Sequence, residues 1–250
     1  MRELSRRRLI KTGLALTAGA SGLVAADALA KHYGLVPPDH GGVYGPGETL
    51  TYAAQRILGR HALAREFDRS QISKTPFANG KPSKDVSRLE PTGFVDWRLA
   101  VDGMVERPAS LSIADLKSYP SRSQITHLAC EEGWSYIAEW TGVPLSHVLD
   151  TVGIRPQAKY VVYFSMQKGW WDSIDMDDAL HPQTLVAYGL NGGALPVGNG
   201  GPLRMRVPRQ LGYKNVKYIT RMTVTDNLKQ FGKGLGAAAP EAGYSWYAGI

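Results

Sequence analysis

The sequence has only one cysteine, Cys130, among its 250 residues. A single cysteine excludes an internal disulfide, a zinc site built on paired cysteines, a four-cysteine iron–sulfur cluster and a haem attached through a CxxCH motif. The six histidines are scattered, without an HExxH motif or any pair four residues apart. This spacing disfavours a zinc enzyme. Cys130 is therefore a free thiol that calls for a chemical explanation.

Nucleotide and nucleic-acid binding also lack support in the sequence. The glycine-rich stretches 42–47 and 198–201 do not follow the strand-to-helix order that places a pyrophosphate at a helix N-terminus. The formal net charge is +7, and part of it lies in the first 30 residues. Outside that segment and the stretch 204–221 we find no clustered basic stripe, so we expect no nucleic-acid partner.

The N-terminus has the sequence Ser-Arg-Arg-Arg-Leu-Ile-Lys over residues 5–11. This motif resembles the twin-arginine export signal, which transports proteins already folded. The uncharged stretch 12–26 is shorter than the roughly 20 apolar residues of a spanning helix. Alanines at 26, 28 and 30 offer cleavage sites. We predict a signal peptide over residues 1–30, use of the twin-arginine export machinery and a periplasmic location; an uncleaved membrane tether and a basic surface helix are the alternatives.

The sequence after residue 30 predicts one β-rich mixed domain of the α+β class. We expect an irregular N-terminal extension over residues 31–93 that packs on the domain, with an amphipathic helix at 52–63 and a long loop at 70–88. The domain itself is predicted over residues 94–230. Residues 231–250 form a C-terminal tail, which we interpret as either an ordered extension or a loose end.

Within the predicted domain, local signals place several elements. Ser112 with Asp115 forms a capping box that opens a short helix, and an Asn-Gly pair at 191–192 predicts a hairpin. The alternation of apolar residues with Arg204 and Arg206 predicts a strand with one solvated face. The predicted strands are 98–103, 159–164, 184–190, 193–195, 203–207 and 216–226, and the predicted helices are 113–119, 144–153 and 175–180.

Cys130 ends an apolar strand and enters a polar turn that contains Gly133. Reactive groups become accessible at such strand ends. The alternative is a buried structural cysteine, because cysteine is among the most buried residue types.

Three motifs in the same order carry a resemblance to a known family. The first motif is Cys-Glu-Glu-Gly-Trp-Ser followed by Trp-Thr-Gly-Val, at 130–143. The second is Ala-Lys-Tyr-Val at 158–161. The third, over 194–217, consists of Ala-Leu-Pro, Asn-Gly-Gly-Pro-Leu-Arg, Val-Pro, Gly-Tyr-Lys and Val-Lys in that order. They resemble the sulfite-oxidase-type molybdopterin-binding domain. The resemblance covers about residues 96–226 and is nearest to the catalytic subunit of the periplasmic protein-methionine-sulfoxide reductases.

The resemblance implies a molybdenum–molybdopterin cofactor without a nucleotide, held by the dithiolene of the pterin and by one protein thiolate. By position, Cys130 is the metal ligand and the catalytic residue. The same motifs place these residues around the cofactor: Asn79, Ser165, Asn199, Arg204, Asn215, Val216 and Lys217. Asn79 lies where this sequence departs most from the family. Arginine and lysine suit the pterin phosphate, although a solvated strand face explains Arg204 and Arg206 as well.

The resemblance implies an oxidoreductase, and the acidic residues after Cys130 favour reduction of S- or N-oxides. Sulfite oxidases carry arginines there to hold an anionic substrate, whereas this chain has Glu131 and Glu132. That argument weakens if a base such as Arg98 or Arg122 neutralises Glu132. We also expect no C-terminal dimerisation domain of the sulfite-oxidase kind.

Three alternatives stay open: a sulfite-type dehydrogenase, a non-catalytic molybdopterin-binding protein, and an envelope protein whose cysteine segment matches by chance. The sequence lacks haem and iron–sulfur motifs. The electron carrier of a reductase would therefore be a separate protein, a membrane haem subunit or a soluble cytochrome.

Overall fold

The computed structural model describes residues 20–250, so the predicted export motif at residues 5–11 lies outside the described residues. Within this range two sheets pack together with short helices around them. The strands are β1 Leu99–Gly103, β2 Ala109–Leu111, β3 Arg122–Ala129, β4 Ser135–Pro144, β5 Tyr160–Ser165, β6 Trp171–Asp175, β7 Leu185–Leu190, β8 Gly193–Ala194, β9 Arg204–Arg206 and β10 Ile219–Thr225. The α-helices are α1 Ala20–His32, α2 Gly45–Leu58, α3 Lys84–Leu89, α4 Ile113–Ser118, α5 Leu145–Val152, α6 Met176–Ala179 and α7 Ala238–Glu241.

The first sheet has the strand order β2-β1-β10-β5-β6. Its pairs are antiparallel except β1 with β10, which run parallel. The second sheet has the order β3-β4-β7-β8, and β9 pairs with β7 beside that path. This mixture of two sheets and peripheral helices is the α+β architecture that the sequence predicts.

The main core lies between the two sheets and α5. This helix presents Leu145, Val148, Leu149 and Val152 on one face, at the spacing of one stripe of an amphipathic helix, and all four are buried. It ends at Gly153, whose φ of +68° is accessible to glycine without strain. The helix thus buries its apolar face in the core that the two sheets share.

The second sheet is covered on both of its faces. The side chains of Tyr136, Ala138 and Trp140 on β4 form a second apolar cluster on the face opposite the main core. Val143 of the same strand lies on the other face, by the ordinary alternation of a strand, and belongs to the main core. Because both faces are covered, residues on β9 have no solvated side.

The prediction of a solvated face for β9 is therefore wrong. Arg204 and Arg206 are buried, with 4% and 0% of their surface exposed. The alternation of apolar and charged residues is real, but the second apolar cluster covers the face that carries the arginines. Period-two patterns mark two different faces and do not say what covers each face.

The N-terminal extension is more regular than predicted. In place of a helix at 52–63 the structure has α2 at Gly45–Leu58, and the end of the predicted loop at 70–88 contains α3. Arg56 of α2 forms buried ion pairs with Asp175 and Asp178, at 2.6 and 2.7 Å. These contacts attach the extension to the domain beside α6.

The C-terminal segment packs on the domain. Trp246 and Tyr247 are buried in a third apolar cluster with Tyr52 and Val162. Residues 231–250 therefore form an ordered extension and not a loose end, which decides between the two interpretations of the tail. Among the helices of residues 20–250, not one combines the length and the apolar character needed to span a bilayer.

Candidate active site

Cys130 lies in the tight turn that joins β3 to β4. Its N–H donates to the carbonyl oxygen of Trp134 at 2.9 Å, and its carbonyl oxygen accepts from the Gly133 N–H at 3.1 Å. Gly133 has a φ of +90°, a conformation that favours glycine. The turn holds the half-buried thiol at the end of the sheet. The predicted strand end before Cys130 is confirmed.

The environment of Cys130 disfavours an isolated thiolate. Its Sγ donates to Oε2 of Glu131 at 3.1 Å. Burial raises the pKa of the Cys130 thiol to about 12, and Glu131 and Glu132 add to this rise. A thiolate here needs a positive partner, and coordination to a metal ion deprotonates a thiol outright.

Glu132 is held by two neutral donors. Asn79 Nδ2 and Trp134 Nε1 each donate to its Oε2 at 2.7 Å. Neither of the two arginines that could neutralise Glu132 binds it. Arg122 pairs with Glu66, and Arg98 donates to backbone carbonyl oxygens. Asn79 thus lies next to the Cys130 turn, but its side-chain amide holds Glu132.

Lys217 connects the extension to the segment around Asn199. Its Nζ donates to the carbonyl oxygen of Asn79 at 2.5 Å and to that of Gly198 at 2.6 Å. A side chain at Gly200 would place a Cβ 2.9 Å from Cγ of Lys217, and Gly200 has a φ of +109°. Burial, assisted by the charge of Arg204, lowers the pKa of Lys217 to about 8. The glycine therefore lets the lysine approach the backbone.

Arg204 joins two of the predicted cofactor segments. Its Nη1 donates to the carbonyl oxygen of Asn199, and its Nη2 donates to that of Asn215, both at 2.6 Å. Its Nε is buried without a hydrogen-bond partner among residues 20–250. Burial lowers the pKa of Arg204, and the neighbouring Tyr136 and Tyr218 oppose this effect. A buried guanidinium without a carboxylate partner is suited to an anionic ligand such as a phosphate.

Asn215 and Val216 are oriented towards the protein. The Oδ1 of Asn215 accepts from the Val207 N–H at 2.8 Å and from Arg206 Nη1 at 3.0 Å, and its Nδ2 donates to Leu211 at 3.0 Å. Val216 is buried in the main core, and its carbonyl oxygen accepts from the Met205 N–H. These protein contacts fix the shape of the segment that precedes Lys217.

Ser165 lies at the margin of this group. It ends β5, and its Oγ accepts from the Gln167 N–H at 3.0 Å. The next residue, Met166, donates its N–H to the carbonyl oxygen of Tyr218 at 2.8 Å. Ser165 is thus close in the fold to Lys217, although no hydrogen bond joins the two in the described part of the chain.

The structure therefore connects the predicted site residues through one set of contacts. Sγ of Cys130 lies 3.9 Å from Oε2 of Glu132, which binds Asn79, and the carbonyl oxygen of Asn79 binds Lys217. Lys217 also binds Gly198, the chain neighbour of Asn199, and Arg204 joins Asn199 to Asn215. Val216 and Ser165 join through their own chain neighbours.

Two contributors were not predicted. Arg206 is fully buried and binds Asn215, and its regular spacing from Arg204 was the signal in the sequence. Gly212 packs on the Cys130 turn so closely that a Cβ would lie 3.2 Å from the Cα of Cys130. Gly212 belongs to the Gly-Tyr-Lys motif at 212–214, but the motif alone did not predict its contact with Cys130.

The donor set fits a pterin-held metal. Residues 20–250 contain no group of three or more His, Cys, Asp or Glu side chains arranged to hold a metal ion. Cys130 would then be a single protein ligand, with the other ligands supplied by a cofactor. A soft thiolate ligand and nearby unpaired cations for a phosphate match the molybdenum–molybdopterin group.

Comparisons with known proteins are consistent with this donor set. The model of the family described as "Oxidoreductase molybdopterin binding domain" matches residues 85–231. The chain is 36% identical over 194 residues to a protein of Azospira oryzae named as the protein-methionine-sulfoxide reductase subunit YedZ1, covering 77% of this chain and 70% of that protein. It is 34% identical over 247 residues to the protein-methionine-sulfoxide reductase catalytic subunit MsrP of Xanthomonas axonopodis pv. citri, covering 90% and 71% respectively.

A solved structure has a related fold. The sulfane dehydrogenase SoxCD from Paracoccus pantotrophus superposes with a TM-score of 0.52 at 24% identity. The match covers 67% of this chain and 46% of that chain. At this identity the likeness concerns the fold alone.

Proposed function

Because the chain belongs to the oxidoreductase molybdopterin-binding domain family, we propose that it is the catalytic subunit of a periplasmic reductase of S- or N-oxides, with methionine-sulfoxide-like substrates. The chain is a molybdopterin-dependent oxidoreductase. The predicted family, enzyme class, cofactor and fold class are thereby confirmed. When bound, molybdenum–molybdopterin supplies a two-electron redox centre for oxygen-atom exchange.

In this proposal five residues of the site have a defined task. Cys130 is the thiolate ligand of the metal. Arg204 and Lys217 provide the positive charge for the pterin phosphate, since no carboxylate among residues 20–250 pairs with either. Asn199 and Asn215 hold Arg204 through their carbonyl oxygens.

The observation that carries the choice of substrate is the carboxylate of Glu131, 3.1 Å from Sγ of Cys130. At an effective dielectric constant of about 20, a carboxylate about 5 Å from a unit anion costs about 3 kcal/mol. This cost weakens anion binding by roughly a hundredfold. Glu132 adds negative charge, because its partners Asn79 and Trp134 are neutral. A neutral sulfoxide or N-oxide avoids the repulsion that sulfite would meet.

The names of the relatives support the same substrate class. Both carry the name of a protein-methionine-sulfoxide reductase subunit, and one of them is named as the catalytic subunit. Reduction of a sulfoxide consumes two electrons and two protons and yields the sulfide and water. Because the sequence has no haem or iron–sulfur motif, we infer that a separate electron carrier delivers the electrons.

The proposal is tested by metal analysis followed by paired assays on one preparation. We expect about one molybdenum per chain. We also expect reduction of methionine sulfoxide by a reduced viologen dye, with little oxidation of sulfite by a cytochrome acceptor. Fast sulfite turnover without sulfoxide reduction would contradict the substrate class, and a loaded but inactive protein would support a non-catalytic binding role.

The periplasmic location rests on the motif at residues 5–11 and has its own experiment. Substitution of Arg6 and Arg7 together by lysine is expected to leave the protein in the cytoplasm. Arg8→Lys is the matched control, because Arg8 occupies the variable position of the motif. Normal export of the double variant would rule out the signal.

A further inference from the structure

We propose that Arg206 is a positioning residue that fixes the strand end before Cys130 against the cofactor segment 215–217. This inference rests on the proposed function, because it takes Cys130 as the metal ligand. Arg206 is fully buried, with 0% of its surface exposed. It lies on β9, between the two parts of the chain that it connects.

The guanidinium of Arg206 binds both segments. Its Nη1 donates to Oδ1 of Asn215 at 3.0 Å. Its Nη2 donates to Oγ1 of Thr126 at 3.0 Å and to the carbonyl oxygen of His127 at 2.6 Å. His127 lies on β3, three residues before Cys130, and Asn215 precedes Lys217 by two residues. One planar group thus sets the spacing between the ligand strand and the segment that carries Lys217.

Filling the core does not require a charge at this position. Within residues 20–250 no carboxylate pairs with Arg206, and its Nε has no hydrogen-bond partner. A second buried cation, Arg204, is close, and both guanidinium carbons lie 5.2 Å from the ring centre of Trp140. Burying a charge without an ionic partner is costly. An apolar side chain such as that of Met205, its neighbour on β9, would fill the space without this cost.

Asn215 links Arg206 both to Arg204 and to the segment that packs against Cys130. Its Oδ1 accepts from Arg206, and its carbonyl oxygen accepts from Arg204. Its segment begins at Gly212, which packs against Cys130. A displaced Asn215 would therefore shift the surroundings of the thiolate together with Arg204. A misplacement of about 1 Å can lower a rate by roughly a hundredfold.

The test uses Arg206→Lys in the full-length loaded protein, because lysine keeps the charge but cannot span three acceptors in the same geometry. We expect a changed Mo(V) paramagnetic signal, and a kcat lowered by about a hundredfold with KM changed less than about twofold. Molybdenum and pterin content and the circular dichroism spectrum are measured on the same samples. Loss of cofactor from a folded variant would also support the role.

The matched control is Arg209→Lys. Arg209 is also buried, but it binds the carbonyl oxygens of Gly59 and Arg60 and pairs with Asp178 at 3.6 Å, and none of these partners belongs to the Cys130 turn or to segment 215–217. We expect an unchanged Mo(V) signal from this variant. If both variants alter the signal equally, or if Arg206→Lys leaves signal and kcat unchanged, the positioning role is overturned.

A milder variant keeps the proposal testable if Arg206→Lys does not fold. Thr126→Val removes one of the three acceptors with little change of shape, and we expect a smaller shift of the same Mo(V) signal. An unchanged signal there would also overturn the role. Absence of molybdenum from the unmodified protein would overturn the proposed function as well, whereas unchanged variants of a loaded protein would overturn only the role of Arg206.

Discussion

Lys217 and Asn79 are joined by a hydrogen bond from the lysine Nζ to the asparagine carbonyl oxygen, at 2.5 Å across 138 positions of sequence. The bond brings the N-terminal extension into the site, next to the turn that holds Cys130. The extension therefore belongs to the candidate active site, and the lysine that holds it is also the cation proposed for the cofactor phosphate.

The position of Lys217 predicts a pH-dependent affinity for the cofactor. Burial and Arg204 lower the pKa of Lys217 to about 8 in the cofactor-free protein. A phosphate favours the ammonium form, so above pH 8 binding must be accompanied by uptake of a proton. Affinity should then fall about tenfold per pH unit above pH 8. Cofactor retention after gel filtration, measured from pH 7 to 10, checks this.

The control for that experiment is Lys217→Arg, whose side chain remains charged throughout the range. Its retention should vary much less with pH. The cofactor-free wild type should also gain stability between about pH 8 and 10.5, because there the unfolded state binds more protons than the folded state. Identical pH profiles for the two proteins would contradict the assignment.

Arg204→Ala is predicted to lower both cofactor content and stability. Loss of one charge-assisted contact to the phosphate costs about 1.5–3 kcal/mol, and the carbonyl oxygens of Asn199 and Asn215 lose their donor. Molybdenum per chain and urea unfolding of the cofactor-free protein measure the two effects. Arg221→Ala, which removes an exposed arginine paired with Asp102, should change neither by much. Full occupancy in Arg204→Ala would remove this residue from the site.

Cys130→Ser is predicted to abolish activity with the fold retained. A hydroxyl is a harder and weaker donor than a thiolate, so the Mo(V) signal should shift. The change is nearly isosteric, and the free energy of unfolding of the cofactor-free protein should change by less than about 1 kcal/mol. Electron paramagnetic resonance and urea unfolding provide the two measurements. An active variant with an unaltered signal would exclude Cys130 as the ligand.

Glu131→Gln is predicted to admit anions to the site. Removing a carboxylate 3.1 Å from Sγ of Cys130 should strengthen inhibition by sulfite by roughly ten- to a hundredfold, while the KM for a neutral sulfoxide changes little. Sulfite inhibition of the viologen-linked assay gives the measurement. Glu106→Gln, at an exposed ion pair with Arg107, serves as the control. Equal inhibition by sulfite of the wild type, Glu131→Gln and Glu106→Gln would show that Glu131 does not face the substrate.

Arg56→Met is predicted to destabilise the whole domain. Arg56 binds Asp175 and Asp178, and its loss leaves two buried carboxylates with fewer partners, at a cost of about 3–5 kcal/mol. Arg60→Met removes a more exposed ion pair with Asp177 and should cost less than about 1 kcal/mol. Urea unfolding of both variants checks the difference, and similar losses would argue against the buried network.

Much of the fold could be predicted from local sequence signals. The Ser112–Asp115 capping box is present as predicted, and the hairpin turns at Asn191 and Gly192 with φ values of +50° and +80°. Local hydrogen-bonding and backbone preferences determine these features, so neighbouring residues suffice to predict them. The turn at Cys130 follows from the same kind of signal.

Contacts between distant segments could not be predicted in this way. The bond from Lys217 to Asn79 depends on how the extension packs. The burial of Arg206 depends on the second apolar cluster, whose members Tyr136 and Trp140 come from another strand. A strand pattern shows that two faces differ, whereas the covering of each face is decided by the tertiary structure.

The C-terminal segment has a consequence for the order of synthesis. The carbonyl oxygen of Ala248 accepts from the Leu211 N–H, and Gln210 Oε1 accepts from the Ala248 N–H. The segment beside Gly212 and Cys130 thus lacks these partners until residue 248 has been made and has left the ribosome. The pocket around the thiol is consequently completed late, after translation has passed every residue of the candidate site, so a cofactor inserted into the finished pocket enters a chain that has been made at least as far as residue 248.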